Sequence, residues 1–291
     1  MLSTASSAAS PRGTLSTALR QQAPLACVLL IAIGHALPAL LSAAELHSDA
    51  AIVGLQARHL LRGEWSWFLW GSGYQTSVDS FVAALFFSVL GATPLALTLS
   101  SFCGYLLLVG LAFGTLRRRF DAWRSALLVS PLILATGPLH TYMFSPPRQA
   151  SLTLVFAAIW LIDGAPRWRY RASSLAAGAC VAGLSCFADP YGLVFLPGVL
   201  GFLLLCVIDA PSEHRARGVA AGTLGAIAGL IPWWLLTQTA QASHGVLGLE
   251  SAVIAHNLRL LGQTCLPYLL GTTAYFSPRA PIVQAWSAPG W

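Results

Sequence analysis

The sequence predicts an all-α protein, a polytopic membrane bundle of about seven transmembrane helices with interfacial helices in its first external loop. Of its 291 residues, 56% are hydrophobic and 9% are charged, whereas about a quarter of the residues in a soluble domain are charged. The formal charge of +6 comes from Arg alone, mostly in short loops between apolar runs. This distribution is typical of cytoplasmic loops between spans, so it predicts membrane lipid as a partner and no nucleic acid.

Seven apolar runs are predicted to cross the roughly 30 Å hydrocarbon core. They are residues 23–41, 94–116, 125–142, 150–162, 173–187, 192–208 and 219–237. Residues 1–22 are polar and predict a disordered cytoplasmic tail, and residues 23–291 predict a single membrane domain. The run at 23–41 is long for the core of a signal peptide, so we expect a retained first span.

The arginines predict which loops face the cytoplasm. Arg clusters follow the second, fourth and sixth runs, at residues 117–124, 167–171 and 215–217. With those loops and the N-terminus cytoplasmic, the external parts are the first loop (43–93), residues 138–149, the turn at 188–191 and the last segment (238–291). We expect this last segment to be truncated, because the sequence stops there without a closing span.

A further apolar run at residues 81–90 lies inside the first external loop. Ten residues make only about 15 Å of helix, and an additional crossing would invert every later loop. We therefore expect an interfacial helix here, opened by Asp79.

The first loop begins with a second predicted interfacial helix, over residues 49–62. Ser48 is its expected N-cap, Asp49 lies in its first turn, and Gly63 is placed to end it. Residues at helical spacing predict an apolar stripe, with Gln56 and Arg58 on the polar surface. The stripe consists of Ala50, Val53, Ala57, Leu60 and Leu61.

An aromatic belt follows, made of Trp65, Trp67, Trp70 and Tyr74. Asp49 admits two interpretations at this point. The helix dipole favours its anion, which can act as a general base, or Asp49 is simply a favourable first-turn residue on a solvated helix.

The stretch "SDAAIVGLQARHLLRG" resembles the first external loop of the C-type glycosyltransferases, a superfamily of polytopic enzymes that includes aminoarabinose and protein O-mannosyl transferases. Asp49, Ala57, Leu60, Leu61 and Gly63 match the run of that loop, and residues 85–91 match the end of its second interfacial helix. Weaker likenesses, in "FADPYGLVFLPGVL", "GLIPWWLLT" and "HNLRLLGQTCLPYLLG", extend the resemblance to about residue 271.

The resemblance implies transfer of a sugar from a polyprenyl-phosphate donor to a lipid or glycan acceptor on the extracytoplasmic side of a bacterial inner membrane. It implies that Asp49 is the catalytic base. Arg58, Arg148 and Arg259 are candidates for the cation that stabilises the donor phosphate. Arg259 is expected on a third interfacial helix over residues 247–261, as part of a donor-pocket wall.

The roles of two further residues have alternative interpretations. Arg148 is either a phosphate ligand or an interfacial Arg with its charge in the headgroup region. Asp189 precedes Pro190 and is either a turn residue or part of an external cavity. Together with Tyr74, Asp79 and His140, Asp189 completes a possible pocket.

No metal site is predicted. The external loop at 138–149 contains His140 and Arg148 but no carboxylate, so only Asp79 or Asp189 could contribute to a divalent-metal site. The six cysteines lie mostly within apolar runs and lack C-x-x-C spacing, which predicts free thiols.

Two other functions remain as alternatives. A transporter or flippase for a lipid-linked substrate would carry ionisable residues or broken helices at mid-membrane, often within inverted repeats. Here the charges cluster at one face and no repeat is visible, which favours the enzyme. A truncated, non-catalytic scaffold would fit the missing second carboxylate and the abrupt end at Trp291.

Overall fold

The computed structural model describes residues 12–41, 46–72, 74–134, 146–164, 168–239, 251–260 and 262–263. Within these residues the fold is helical, and the extended structure is one isolated antiparallel bridge between Phe68 and Thr76. The helices are α1 (Arg12–Leu41), α2 (Ser48–Leu60), α3 (Val78–Leu90), α4 (Pro94–Arg117), α5 (Ala122–Ile133), α6 (Gln149–Asp163), α7 (Trp168–Ala188), α8 (Gly192–Ile208), α9 (Ser212–Thr239) and α10 (Ser251–Leu260).

Helix α1 starts earlier than the sequence predicts. The predicted disordered tail, residues 1–22, is helical from Arg12 onward, so that prediction is wrong for this part, and residues 1–11 lie outside the described residues. Leu15, Ala18 and Leu19 recur at helical spacing there. Extending an existing helix adds a hydrogen bond for each ordered residue without a new nucleation cost, so the span continues into its polar flank.

Three described helices are long and apolar enough to cross a membrane: Pro94–Arg117, Arg171–Ala188 and Ser212–Gln238. The apolar helical stretches at the other four predicted spans are shorter, at Gln22–Pro38, Ala122–Ile133, Gln149–Asp163 and Gly192–Ile208. The last part of the third predicted span lies outside the described residues, which resume at residue 146. Each predicted span thus overlaps a described helix, and three of these helices are both long and apolar enough to cross a membrane.

Helix α4 is central to the packing. It contacts α1, α5 and α6 and also the pair formed by α2 and α3. The α2–α3 pair packs through Val53, Ala83 and Phe87 onto Leu97 near the start of α4. The two helices of the first loop are therefore held on one end of the bundle.

Details of α2 differ from the prediction. His47, not Ser48, is the N-cap, and its side chain accepts a hydrogen bond from the backbone N–H of Ala50. Leu61 is exposed because the helix ends at Leu60 and the chain turns at Gly63, whose φ is +83°. Gln56 was expected on the polar surface but is fully buried, because its amide is used to hold the next loop, as described below.

The two ends of the bundle have opposite chemistry. Residues 75–79, 146–151 and 187–191 meet at one end, which we call the carboxylate end because Asp79 and Asp189 are buried there. At the opposite, arginine end, Arg119 donates to Asp163 at 2.8 Å and Arg118 donates to the carbonyl of Trp160 at 2.6 Å. The described parts of three loops that were predicted to be external therefore lie at one end of the bundle.

Helices α7 and α9 run parallel in close contact. A Cβ atom at Gly225 would overlap the backbone of Ala176, and one at Gly229 would overlap the backbone of Cys180. The second contact lies four residues after the first in both helices, so the two backbones run side by side in the same direction. Small residues permit this approach, as they do between membrane helices generally.

Candidate functional site

The loop between α2 and α3 is folded onto itself. The backbone N–H of Leu69 donates to the carbonyl of Gln75 at 2.9 Å, and that of Ser77 donates to Trp67 at 3.0 Å. Gln56 reaches this loop from α2, donating to the carbonyl of Phe68 at 2.9 Å and to the hydroxyl of Ser77 at 2.7 Å. The buried glutamine thereby fixes residues 66–77 relative to α2.

This loop is bound in turn to the α7–α8 turn. The hydroxyl of Thr76 lies 2.8 Å from the carbonyl of Phe187 and 2.9 Å from that of Ala188, so it donates to this pair of acceptors. The amide of Gln75 donates to Asp189 Oδ2 at 2.7 Å. Nothing in the sequence pattern singled out Gln75 or Thr76, since only their distant partners reveal what they do.

Asp189 uses both carboxylate oxygens locally. Its Oδ1 accepts the backbone N–H of Tyr191 at 2.7 Å, as in an Asx turn, while Oδ2 accepts from Gln75. Burial raises the pKa of Asp189, while hydrogen bonds from Tyr191 and Gln75 and the charge of Arg148 oppose that rise. These contacts favour the interpretation of Asp189 as a turn residue.

Arg148 lies beside Asp189. It is the N-cap residue of α6, its Nε is 4.0 Å from Asp189 Oδ2, and its guanidinium lies 5.6 Å from the centre of the Tyr191 ring. The side chain is therefore held against the carboxylate and the ring. A donor phosphate bound by Arg148 would have to share the guanidinium with Asp189.

Asp79 is the most perturbed carboxyl group of the carboxylate end. Its Oδ1 accepts the backbone N–H of Ala150 at 3.0 Å, which links α3 to the first turn of α6. Burial raises the pKa of Asp79 to about 8, and the hydrogen bond from Ala150 opposes this rise, whereas nearby Asp189 adds to it. The group is therefore largely protonated at neutral pH.

Asp79 also lines a cleft of about 360 Å³ between α3, α4 and α6. Polar groups of Ser100, Gln149 and Thr153 line it together with Asp79, near the carboxylate end. Apolar side chains complete the wall, namely Val82, Phe86, Leu107 and Leu154. The cleft is thus amphipathic, which suits a molecule with one polar and one apolar part.

We expect the folded protein to lose stability as the pH rises from about 4 to about 8. Because the folded-state pKa of Asp79 is raised from 3.8 to about 8, the folded state retains a proton that the unfolded state releases in this range. The stabilisation is complete below the unfolded-state pKa and is lost as the pH rises through the folded-state pKa, at about 1 kcal/mol per pH unit. The raised pKa of Asp189 acts in the same direction.

Thermal unfolding in detergent at pH 5 and pH 8 measures this effect. Asp79→Asn keeps an oxygen acceptor for Ala150 but removes the titrating group, so its Tm should change less between the two pH values. The same change of Tm in wild type and Asp79→Asn would contradict the assignment.

Asp49 lies exposed in the first turn of α2, and its Oδ1 accepts a hydrogen bond from Ser48 at 3.4 Å. Arg58 is exposed in the last turn of the same helix. The two positions are nine residues apart, which places them about 13 Å apart along the axis and on opposite faces. This geometry disfavours their acting together on one sugar–phosphate linkage.

The remaining predicted residues lie in three places. Tyr74 is exposed in the α2–α3 loop, and Arg259 is exposed in the last turn of α10. His140 lies outside the described residues. Of the residues predicted for a site, the structure brings together Asp79, Arg148 and Asp189.

Gln149 belongs with these residues but was not predicted. In the sequence, a lone glutamine before an apolar run is typical of the polar flank of a span. Only the contact of α6 with α3 and α4 places Gln149 in a buried cluster. Within the described ranges, no group of three or more His, Cys, Asp or Glu side chains is arranged to hold a metal ion.

Comparisons with protein-family models, with curated proteins and with solved structures found no match for this chain. The resemblance to C-type glycosyltransferases accordingly rests on the residues of the first loop and on the likenesses downstream of it.

Proposed function

We propose that the chain is an integral membrane glycosyltransferase that moves a sugar from a polyprenyl-phosphate donor to a lipid or glycan acceptor. The observation that carries this proposal is the arrangement of the first loop. Helices α2 and α3 form a pair held on one end of the bundle, and the Asp49 carboxylate is exposed in the first turn of α2. This is the layout that the resemblance implies.

The proposal includes the placement in the membrane. All seven predicted spans cross the bilayer of a bacterial inner membrane in this proposal, with the arginine end and the N-terminus cytoplasmic. Three of the spans, those of α5, α6 and α8, would then require local thinning of the bilayer or longer helices than those described. Exposed Trp65, Trp67 and Tyr74 would lie at headgroup level on the external side, where the carboxylate end faces.

Asp49 would act as the general base towards the acceptor. Its exposure allows an acceptor hydroxyl or amine to approach. For the donor phosphate, the helical geometry disfavours Arg58 as a partner of Asp49. Arg148 and Arg259 remain the candidates, each outside α2.

A transporter or flippase for a lipid-linked substrate is the second candidate. The specific observation in its favour is the buried, largely protonated Asp79 in an amphipathic cleft, since proton-linked transporters use such groups. Asp79 lies at the start of α3, at the carboxylate end of the bundle rather than at its middle, which favours the enzyme.

The test is sugar transfer by purified protein in lipid nanodiscs, supplied with a panel of polyprenyl-phosphate sugars and with lipid and glycan acceptors. Transfer from at least one donor supports the enzyme. A folded, monodisperse protein that transfers no sugar, but moves the lipid-linked sugar across proteoliposome membranes, would establish the transporter instead. If the folded protein neither transfers nor transports the sugar, the non-catalytic scaffold is favoured.

A further inference from the structure

Two buried oxygen atoms in the cleft between α3, α4 and α6 have no hydrogen-bond partner among the described residues: Asp79 Oδ2 and Gln149 Oε1. The residues are only 7% and 3% exposed. A buried polar atom without a hydrogen-bond partner destabilises the folded protein. Two such atoms in one cleft indicate a ligand that donates hydrogen bonds there.

The orientation of the Gln149 amide has a structural cause. The hydroxyl of Thr153 lies within donating distance of two backbone carbonyls, Gln149 at 2.9 Å and Gly104 at 3.2 Å. Its oxygen therefore accepts from Gln149 Nε2, at 3.2 Å. A flipped amide would place two acceptors together, so Oε1 is directed away from Thr153 and remains available as an acceptor.

Ser100 supplies a third acceptor in the same cleft. Its hydroxyl proton is donated to the carbonyl of Leu97 at 2.7 Å, which leaves the lone pairs of Oγ as the groups offered to a ligand. The cleft thus presents a carboxyl oxygen, an amide oxygen and a hydroxyl oxygen.

The packing of α4 against α6 makes room for this arrangement. A Cβ at Gly104 would lie 2.9 Å from Cγ of Gln149, so the side chain occupies the space that a larger residue would take. Beyond this level the cleft is lined by Leu107 and Leu154, one helical turn further along α4 and α6. A polar group bound at Gln149 would therefore have apolar surface next to it.

We propose that this cleft binds the primary ammonium group of an aliphatic amphiphile, with the N–H groups donated to Asp79, Gln149 and Ser100 and the chain against the apolar wall. A primary ammonium has three N–H donors, which match three acceptors. An alcohol offers one donor, and a quaternary ammonium offers none. This site goes beyond sugar transfer and does not depend on it.

Binding of an ammonium group to this cleft should release one proton from Asp79. The free protein holds a proton on Asp79 below pH 8. When the ammonium enters, Asp79 ionises, the proton leaves to the buffer, and a carboxylate–ammonium pair forms. Affinity should therefore rise about tenfold per pH unit as the pH increases from 6 towards 8, and then level off.

Other charged and titratable groups lie near Asp79. Cys103 of α4 lines the cleft, and Asp189 with Arg148 lies close by at the carboxylate end. The α2 residues buried in the packing with α3 are uncharged. Among the described residues that line the cleft, only the carboxyl group of Asp79 has a pKa close to the range from pH 6 to 8, at about 8.

The experiment is isothermal titration of the full chain in phosphatidylcholine nanodiscs with dodecylamine, dodecanol and dodecyltrimethylammonium, with titrations of empty nanodiscs subtracted. We expect dodecylamine to bind at least tenfold more tightly than the other two. Titrations at pH 6.5 in buffers of different ionisation enthalpy should show release of about one proton per bound amine. Equal binding of the three probes, or no proton release, would overturn the proposal.

Variants locate the site. Asp79→Asn should weaken dodecylamine binding by about 10- to 100-fold, the effect of losing a charge-assisted hydrogen bond. Asp209→Asn is the matched control, because Asp209 is exposed in the turn after α8 and does not line the cleft. Unchanged binding by folded Asp79→Asn would overturn the proposal, and the wild-type proton release tests it even if this variant does not fold.

The lipid content of the nanodiscs identifies the source of the ammonium. If replacing half of the phosphatidylcholine by phosphatidylethanolamine weakens dodecylamine binding severalfold, the natural ligand is an aminophospholipid headgroup. If it does not, the site is specific for a free amphiphilic amine. Both outcomes support an ammonium site and differ only in its source.

Discussion

Asp49→Asn is expected to lower kcat for sugar transfer by about 10²- to 10⁴-fold, the usual contribution of a general base. The substitution preserves size and hydrogen-bonding capacity but removes the charge that accepts the proton of the acceptor. Because Asp49 is exposed and its side chain accepts a hydrogen bond from neighbouring Ser48, the variant should fold as wild type does. Initial rates with saturating donor and acceptor measure the effect.

Asp209→Asn is the matched control for this experiment. It makes the same chemical change at an exposed carboxylate after α8, so its kcat should equal that of wild type. Thermal unfolding of both variants checks that they are folded. Equal transfer by Asp49→Asn and wild type would leave the glycosyltransferase proposal standing but exclude Asp49 as the base.

Gly229→Leu is expected to destabilise the protein by about 3 kcal/mol or more, the upper part of the range for overpacked sites. A Cβ at this position would overlap the backbone carbonyl of Cys180, and a leucine would add three further carbon atoms. Backbone atoms cannot move aside as a flexible side chain can, so α9 must separate from α7. A lower Tm and a smaller monodisperse fraction in detergent measure the loss.

Gly201→Leu serves as the comparison. Gly201 is an exposed glycine of α8, and no atom lies within 4 Å of a Cβ built there. Leucine is also the better helix former, so this variant should be as stable as wild type or slightly more stable. Similar Tm values for Gly229→Leu and wild type would show that α7 and α9 are not in close contact.

The residue pattern predicted much of the fold because the signals are local. Apolar runs predicted the helices, and the bounds of α8, Gly192–Ile208, coincide with the predicted run. The short run at 81–90 was correctly assigned to a short helix, Val78–Leu90. Gly63 was correctly expected to end α2, because a positive φ is readily adopted only by glycine.

Two predictions for α2 were wrong, one because of a distant hydrogen-bond partner and one because a neighbouring side chain caps the helix instead. Gln56 fits the polar surface of an amphipathic helix, yet it is buried because Phe68 and Ser77 accept its hydrogen bonds. His47 replaces Ser48 as the N-cap of α2, since several side chains near a helix start can accept the same backbone N–H.

Local sequence patterns predicted the all-helical class and the positions of the apolar helices, because hydrophobicity is a property of short segments. Which polar residues meet depends on how the helices pack. Asp79 and Gln149 are far apart in the chain and become neighbours when α3 packs beside α6. Burial then sets the pKa of Asp79 and leaves two acceptors facing one cleft, and no local pattern encodes that desolvation.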